Sequence, residues 1–226
     1  MDLLSRLFDG DWPRLVIFDL DGTLLDSVPD LAAAVDSTLL AMGRPAAGVE
    51  RVRDWVGNGA AVLLRRALAG STEHAAVDDA LAAEALQRFL VAYAGEHSLS
   101  RVYPGVIDLL QALRARGVLL ALATNKPMRF VDALLAEKQL DGYFNWCLGG
   151  DSLPLQKPDP APLNWIMSAA AVPPHATLFI GDSRNDIQAA RAAGVKVVAV
   201  SYGYNHGRPV ALENPDLLVD SLDALI

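Results

Sequence analysis

Short runs of apolar residues recur along the chain and stop abruptly at polar ones. Leu15 to Phe18 runs without a break into Asp19 and Asp21. Val118 to Ala123 stops at Thr124-Asn125, and Thr177 to Ile180 stops at Gly181-Asp182. Val195 to Val200 is followed by Ser201-Tyr202-Gly203. A continuous apolar run of this length is what a strand buried on both faces needs, and the polar stop marks where its carboxyl end opens at a surface. Asn145 to Gly150 and Asp216 to Asp220 carry weaker strand signals.

Between these runs the apolar period becomes helical. From Gly105 to Arg116, Val106, Leu109, Leu110 and Leu113 fall on one face, and Gly117 ends the pattern. Pro127 to Gln139 opens on a proline, tolerated in a first turn, and repeats Val131, Leu134 and Leu135. Asp159 to Ala171 and Arg184 to Ala193 complete the set, the last closed by Gly194. Strand alternating with helix over short connections predicts an α/β fold, a parallel sheet with helices on both faces. In such sheets ligands bind beyond the carboxyl ends of the strands, where all the polar stops lie.

Residues 26–99 interrupt the alternation. Leu31, Val35 and Leu39 repeat at helical spacing before a turn at Gly43-Arg44-Pro45. Gly57-Asn58-Gly59 leads into Ala60 to Ala69, closed by Gly70, and Val77 to Tyr93 carries Leu81, Leu86, Phe89 and Leu90. No strand pattern occurs there. The division expected is therefore a core of residues 1–25 and 100–226, with 26–99 as an all-helical insert.

Composition narrows the function classes. With 226 residues, 52% hydrophobic and 20% charged, the chain has ample material for a buried core. A net charge of -8 and a pI near 4.9 disfavour nucleic acid as a partner. A small anionic substrate stays open, because a metal and one or two aimed cations act locally. The single Cys147 excludes an intramolecular disulfide and a multi-cysteine zinc site, and His74, His97, His175 and His206 are scattered. No apolar run is long enough to cross a membrane, and Met1 to Arg14 lacks the features of a secretory signal, so the expectation is a cytoplasmic protein with no membrane partner.

Four motifs carry the candidate chemistry. Asp19 and Asp21, one residue apart on an extended chain, point to the same side, and Gly22 permits a sharp turn just past them. Unpaired carboxylates at a strand end repel each other unless a cation sits between them, and Mg²⁺ suits one or two carboxylates plus phosphate oxygens. Asp182 offers a further oxygen ligand on the same sheet edge, or a helix cap. Asp186 reads either as a group that orients its neighbours or as a residue favoured by a helix dipole. Thr124 and Asn125 meet a helix start and can hydrogen-bond phosphoryl oxygens, unless they are only a turn. Lys157, held by the Lys157-Pro158-Asp159-Pro160 turn, would offset phosphoryl charge; alone it would read as a surface lysine.

Taken in order, Asp-x-Asp-Gly-Thr at 19–23, Thr124-Asn125, Lys157-Pro158 and Gly181-Asp182 to Asp186 resemble the phosphatase branch of the haloacid dehalogenase superfamily over essentially the whole chain. The resemblance implies a Rossmann-like core with a helical cap. Trp55 to Ala60, Thr124 to Pro127, Gly181 to Gln188 and Tyr202 to Asn205 look most like the members that hydrolyse 2-phosphoglycolate. It further implies Asp19 as nucleophile and Asp21 as general acid and base. Mg²⁺ would be held by the Asp19 carboxylate, the Asp21 carbonyl and Asp182, with Thr124, Asn125 and Lys157 on the phosphoryl oxygens. The substrate would be a small phosphomonoester, another small sugar phosphate being the alternative to phosphoglycolate. Dehalogenases of the superfamily typically lack the second aspartate. A sugar-phosphate mutase would need a second phosphate site, for which Arg65 and Arg66 are the candidates, and a non-enzymatic binding protein would have lost at least one motif. In the insert, Gly57, Asn58 and Gly59 either meet a substrate carboxylate at a helix N-terminus or form an ordinary turn.

Overall fold

The apolar runs that stop at polar motifs all become strands of one sheet in the computed structural model, which describes residues 3–95 and 97–226. Residues 1 and 2 of the expected core segment 1–25, and residue 96 of the expected insert, lie outside the described residues. Helix α1 (Leu3–Leu7) leads into strand β1 (Leu15–Phe18) and the short strand β2 (Leu25–Asp26). Helices α2 (Val28–Ala41), α3 (Val49–Trp55), α4 (Ala60–Ala69) and α5 (Asp79–Ala92) follow. Strand β3 (Arg101–Val102) returns the chain to the sheet region, and α6 (Val106–Ala115), β4 (Leu119–Ala123), α7 (Val131–Glu137), β5 (Trp146–Leu148) and α8 (Ala161–Ala170) come next. The chain then forms β6 (Thr177–Gly181), α9 (Arg184–Ala192), β7 (Lys196–Val200) and β8 (Leu217–Val219).

The main sheet has six strands in the order β5-β4-β1-β6-β7-β8, every neighbouring pair parallel. Alternate side chains of each strand enter opposite layers, which is why these strands read as unbroken apolar runs. Val16 and Phe18 of β1 pack with α6, α7 and Leu4 of α1 on one face. Leu15 and Ile17 pack with α8 and α9 on the other. β1 sits near the middle, its Phe18 paired with Leu122 on one side and Ile180 on the other. Its carboxyl end therefore opens between those of β4 and β6.

The helices α2 to α5 hold a hydrophobic cluster of their own, around Val35, Trp55, Leu64 and Phe89, and it reaches across to Phe130 and Tyr204. Leu64 is wholly buried there, and truncating such a leucine to alanine costs about 2–5 kcal/mol. Both chain crossings lie close together, because β2 and β3 pair antiparallel through Leu25–Val102 and Asp26–Arg101. The Asp30 carboxylate fastens the pair, accepting from the Ser100 N–H at 2.6 Å and the Ser100 hydroxyl at 2.5 Å. No helix among the described residues is long and apolar enough to cross a membrane.

Several details of the helices depart from the sequence reading. Helix α3 carries too few apolar residues to declare a period, and α1 is only one turn and a half. The helix expected from Pro127 starts as a 3₁₀ turn at Met128–Phe130 before α7, and α8 starts at Ala161 because Pro158 and Pro160 hold the chain before it. Cys147 lies within β5 and is only partly buried.

Candidate active site

The residue after β1 is the centre of the site. Asp19 still donates its N–H to the Ile180 carbonyl at 2.9 Å, so its backbone belongs to the sheet while its side chain leaves it. Leu20 enters the core layer beside β1, which leaves Asp19 and Asp21 free to face the opening. The Asp19 carboxylate meets the Lys157 ammonium at 2.8 Å, and the same ammonium meets Asp186 Oδ1 at 2.7 Å. Carboxylate oxygens of Asp19, Asp182 and Asp186 lie within 4.8 Å of one another, and all three side chains are buried. This donor set of oxygens alone suits a hard divalent cation.

Asp182 is set by two glycines and a hydroxyl. Its carboxylate accepts from Thr23 Oγ1 at 3.1 Å and from the Tyr204 N–H at 2.5 Å. Gly22 (φ +90°) and Gly203 pass so close to it that a Cβ on either would collide with the carboxylate. Asp182 is not the helix cap: Ser183 occupies that place. Asp186 Oδ2 accepts from the Asp182 N–H, the Ser183 N–H and the Ser183 hydroxyl, so Asp186 both starts α9 and aims Lys157.

Electrostatics set these carboxylates apart. Burial pushes the Asp19 carboxyl from 3.8 up to about 7, the negative charges of Asp186 and Asp21 add to the rise, and Lys157 opposes it. Burial, with Asp186 and Asp19 nearby, likewise raises Asp182 well above the usual carboxylate range. For Lys157 burial acts downward, but Asp186 and Asp19 outweigh it and hold the ammonium above its ordinary value. The site has more negative charge than Lys157 can offset. A bound divalent cation would remove the excess.

Asp21 faces a different partner. Its two carboxylate oxygens take the Lys126 ammonium at 3.1 and 3.2 Å, and Lys126 also lies 4.7 Å above the centre of the Tyr93 ring at the end of α5. Burial acts to lower Lys126, yet Asp21 and Tyr93 together carry it above its ordinary value. The Asp21 carboxylate thus pairs with Lys126 and is not one of the three carboxylates that gather within 4.8 Å of one another. Thr124 is buried at the end of β4, and its hydroxyl accepts from the Lys126 N–H at 3.2 Å, leaving its own proton to donate. The Asn125 side-chain amide donates to the Lys157 carbonyl at 2.8 Å and the Gly57 carbonyl at 3.1 Å. Its amide nitrogen thereby holds Lys157 and the Gly57 loop in place, and the residue lines the cavity beside Thr124.

Gly57 and Gly59 line the cavity, whereas the Asn58 side chain is engaged at both its oxygen and its nitrogen. It accepts from Arg66 at 2.8 Å and donates to Asn185 Oδ1 at 3.1 Å, while Asn185 donates to the Gly57 carbonyl at 3.0 Å. The loop is a fastening between the helical insert and α9. Arg66 also donates to the Trp55 carbonyl, and Arg65 turns to the Val77 carbonyl and Asp79. Lys126, Tyr93, Asn185 and Tyr204 were given no role from the sequence. Lys126, Asn185 and Tyr204 stand inside motifs that drew notice, and only contacts across 105 or more positions of chain reveal what they hold. A cavity of about 50 Å³ opens at this end of the sheet, lined by Asp19, Asp21, Thr124, Lys126 and Lys157 on its polar side and by Leu31, Val56, Leu63, Phe89 and Phe130 on its apolar side.

Comparison with known proteins agrees with this geometry. The chain is 60% identical over all 226 residues, and 83% of the relative's length, to the phosphoglycolate phosphatase of Pseudomonas putida. It is 59% identical over the same span, again 83% of the relative, to phosphoglycolate phosphatase 1 of Pseudomonas aeruginosa. A crystal structure described as a predicted phosphoglycolate phosphatase from Haemophilus somnus superposes with a TM-score of 0.85 at 39% identity, covering 93% of this chain and 95% of that one. The sequence profile of the haloacid dehalogenase-like hydrolases matches residues 16–200, from β1 to the end of β7. With its buried aspartate after β1 and its acidic cluster at the sheet edge, the chain belongs to the haloacid dehalogenase-like hydrolase family.

Proposed function

We propose that the chain hydrolyses 2-phosphoglycolate to glycolate and phosphate through an aspartyl-phosphate on Asp19. The observation that carries this reading is the Asp19 carboxylate itself, buried at the open end of β1, 2.8 Å from the Lys157 ammonium and within 4.8 Å of Asp182 and Asp186. A carboxylate in that position can attack phosphorus while fixed cations balance the equatorial oxygens. The names and high identity of the Pseudomonas relatives support the substrate, and the small cavity favours a small ester.

In the first half-reaction an Asp19 oxygen bonds to phosphorus and the P–O bond to glycolate breaks. Asp21 gives a proton to the departing alkoxide. Asp21 then takes a proton from water, whose oxygen attacks phosphorus and releases Asp19 and inorganic phosphate. Proton transfers of this kind contribute typically ~10²–10⁴ in rate. Lys157 balances phosphoryl charge, Asp186 aims Lys157, and the Thr124 hydroxyl donates to a phosphoryl oxygen. Asn125 acts through Lys157, whose backbone it holds. Mg²⁺ fits the oxygen donors of Asp19, Asp182 and the Asp21 carbonyl, and when bound it would supply charge neutralisation at the transferring group. Residues 26–99 act as a cap over the core of residues 1–25 and 100–226, excluding water when seated. The reaction takes place in the cytoplasm, a setting that the single cysteine suits.

Phosphate release across a panel of small phosphomonoesters tests the reading. The highest kcat/KM should fall on 2-phosphoglycolate, chelator should abolish turnover and Mg²⁺ should restore it. A sugar phosphate turned over faster, or full activity in chelator, would overturn it.

A further inference from the structure

The phosphoryl chemistry accounts for Asp19, Asp182, Asp186 and Lys157, but it gives no task to the second buried cation of the cavity. Lys126 is 5% exposed and lines the same space as Lys157. An ammonium carries three N–H donors, and Asp21 can occupy two of them, at 3.1 and 3.2 Å. Tyr93 is the neighbour left for the third: its oxygen interacts with the ammonium but not in ordinary hydrogen-bond geometry, and its ring offers a π face, not a lone pair. Tyr93 adds a second donor. Its ring is fixed by Phe89, stacked at 5.3 Å, and by Phe130, edge-on at 5.2 Å. Its hydroxyl is buried and makes no hydrogen bond of ordinary geometry among the described residues, and the residue is part of the cavity lining. A buried hydroxyl without a partner is costly, so its persistence calls for a ligand.

We propose that Lys126 and the Tyr93 hydroxyl form the subsite for the substrate's carboxylate, and so determine specificity. The inference rests on the phosphatase reading and extends it to the substrate's second anionic group. Two donors side by side match an acceptor-only group, which is what an ionised carboxylate is. Position agrees with chemistry. The leaving oxygen must lie within hydrogen-bond reach of Asp21 to receive its proton. In a phosphorylated two-carbon acid the carboxylate is one carbon from that oxygen, and Lys126 is the cation adjoining Asp21. The pairing lets one ammonium hold Asp21 and the substrate together. An ester lacking the carboxylate leaves both donors unmet in a buried site, and sites built to hydrogen-bond a substrate group discriminate strongly against analogues without it.

The test compares 2-phosphoglycolate with ethyl phosphate, which replaces the carboxylate by a methyl group, in the full chain with Mg²⁺. The variants are Lys126→Met and the isosteric Tyr93→Phe, with inhibition by glycolate as a readout apart from turnover. Wild type should prefer the acid. Lys126→Met should cut that preference roughly 10–100-fold and Tyr93→Phe roughly 3–10-fold, the range for losing a charged and a neutral hydrogen bond. Glycolate inhibition should weaken in both variants. Lys126→Met will also disturb Asp21, but that loss falls on both esters and cancels in the ratio. If both variants keep the wild-type preference and glycolate inhibition, the subsite is refuted while the substrate reading stands. If wild type itself shows no preference for the acid, both fall together.

Discussion

Asp19 is held in the folded chain at a cost, and Asp19→Asn should expose it. In the unfolded chain the carboxyl titrates near 3.8; in the fold burial and neighbouring carboxylates raise it to about 7. Below 3.8 the group is neutral in both states and contributes no penalty. Between the two values the unfolded chain has lost its proton and the folded chain retains it, so stability falls as pH rises, by about 1.4 kcal/mol per pH unit. Above 7 the full penalty of about 4 kcal/mol is present. The amide would keep the shape and remove the charge, and Lys157 would still have Asp186 at 2.7 Å. In chelator at pH 8 the variant should therefore be more stable than wild type by up to about 4 kcal/mol, or on the order of 10 °C in Tm for a chain of this size. The gap should shrink toward zero near pH 4, and saturating Mg²⁺ at pH 8 should close it by stabilising wild type. Turnover by the variant should be lost at every pH. Urea unfolding at three pH values, with and without Mg²⁺, reads all of this. A variant less stable than wild type at pH 8 in chelator, or a gap independent of pH, would refute the reasoning.

Other outcomes follow from the same geometry. Because Asp19 must lose its proton to bind a cation, Mg²⁺ affinity should rise about tenfold between pH 6 and 8, with proton release seen by calorimetry in buffers of different ionisation enthalpy; a flat profile would count against Asp19 as a ligand. Asp186→Ala should act opposite to Asp19→Asn, lowering stability in chelator by about 3–5 kcal/mol, since it strips a buried carboxylate from Lys157 and three other donors; a Tm equal to wild type would contradict that role. Asn58→Leu should lower kcat/KM for phosphoglycolate and for an aryl phosphate alike, on the order of tenfold, because it breaks the fastening to Arg66 and Asn185. A loss confined to phosphoglycolate would mean that the loop reads the carboxylate after all.

Much of this protein is local and could be read from the chain. β1, β4, β6 and β7 are buried on both faces, so each had to be mainly apolar, with Thr177 and Lys196 only at the first positions of β6 and β7, and each polar stop had to mark an opening. Asp19 to Thr23, Thr124-Asn125, Lys157 and Asp182 to Asp186 were legible for that reason, as was the helical character of the insert. The edge strands β5 and β8 are half-exposed and blurred the pattern, and β2 and β3 are two residues each, too short to show a period. The choice of partner is what the chain alone did not contain. Spacing put Asp19 and Asp21 on one side, but only the fold gave Lys157 to the first and Lys126 to the second, across 105 positions in the latter case. The same holds for Asn58, which could have faced a substrate or the core, and which the tertiary structure ties to Arg66 and Asn185. Secondary structure follows from the period of neighbouring side chains, whereas charge pairing and the rise of Asp19 to about 7 depend on desolvation, which exists only once distant segments have closed over the site.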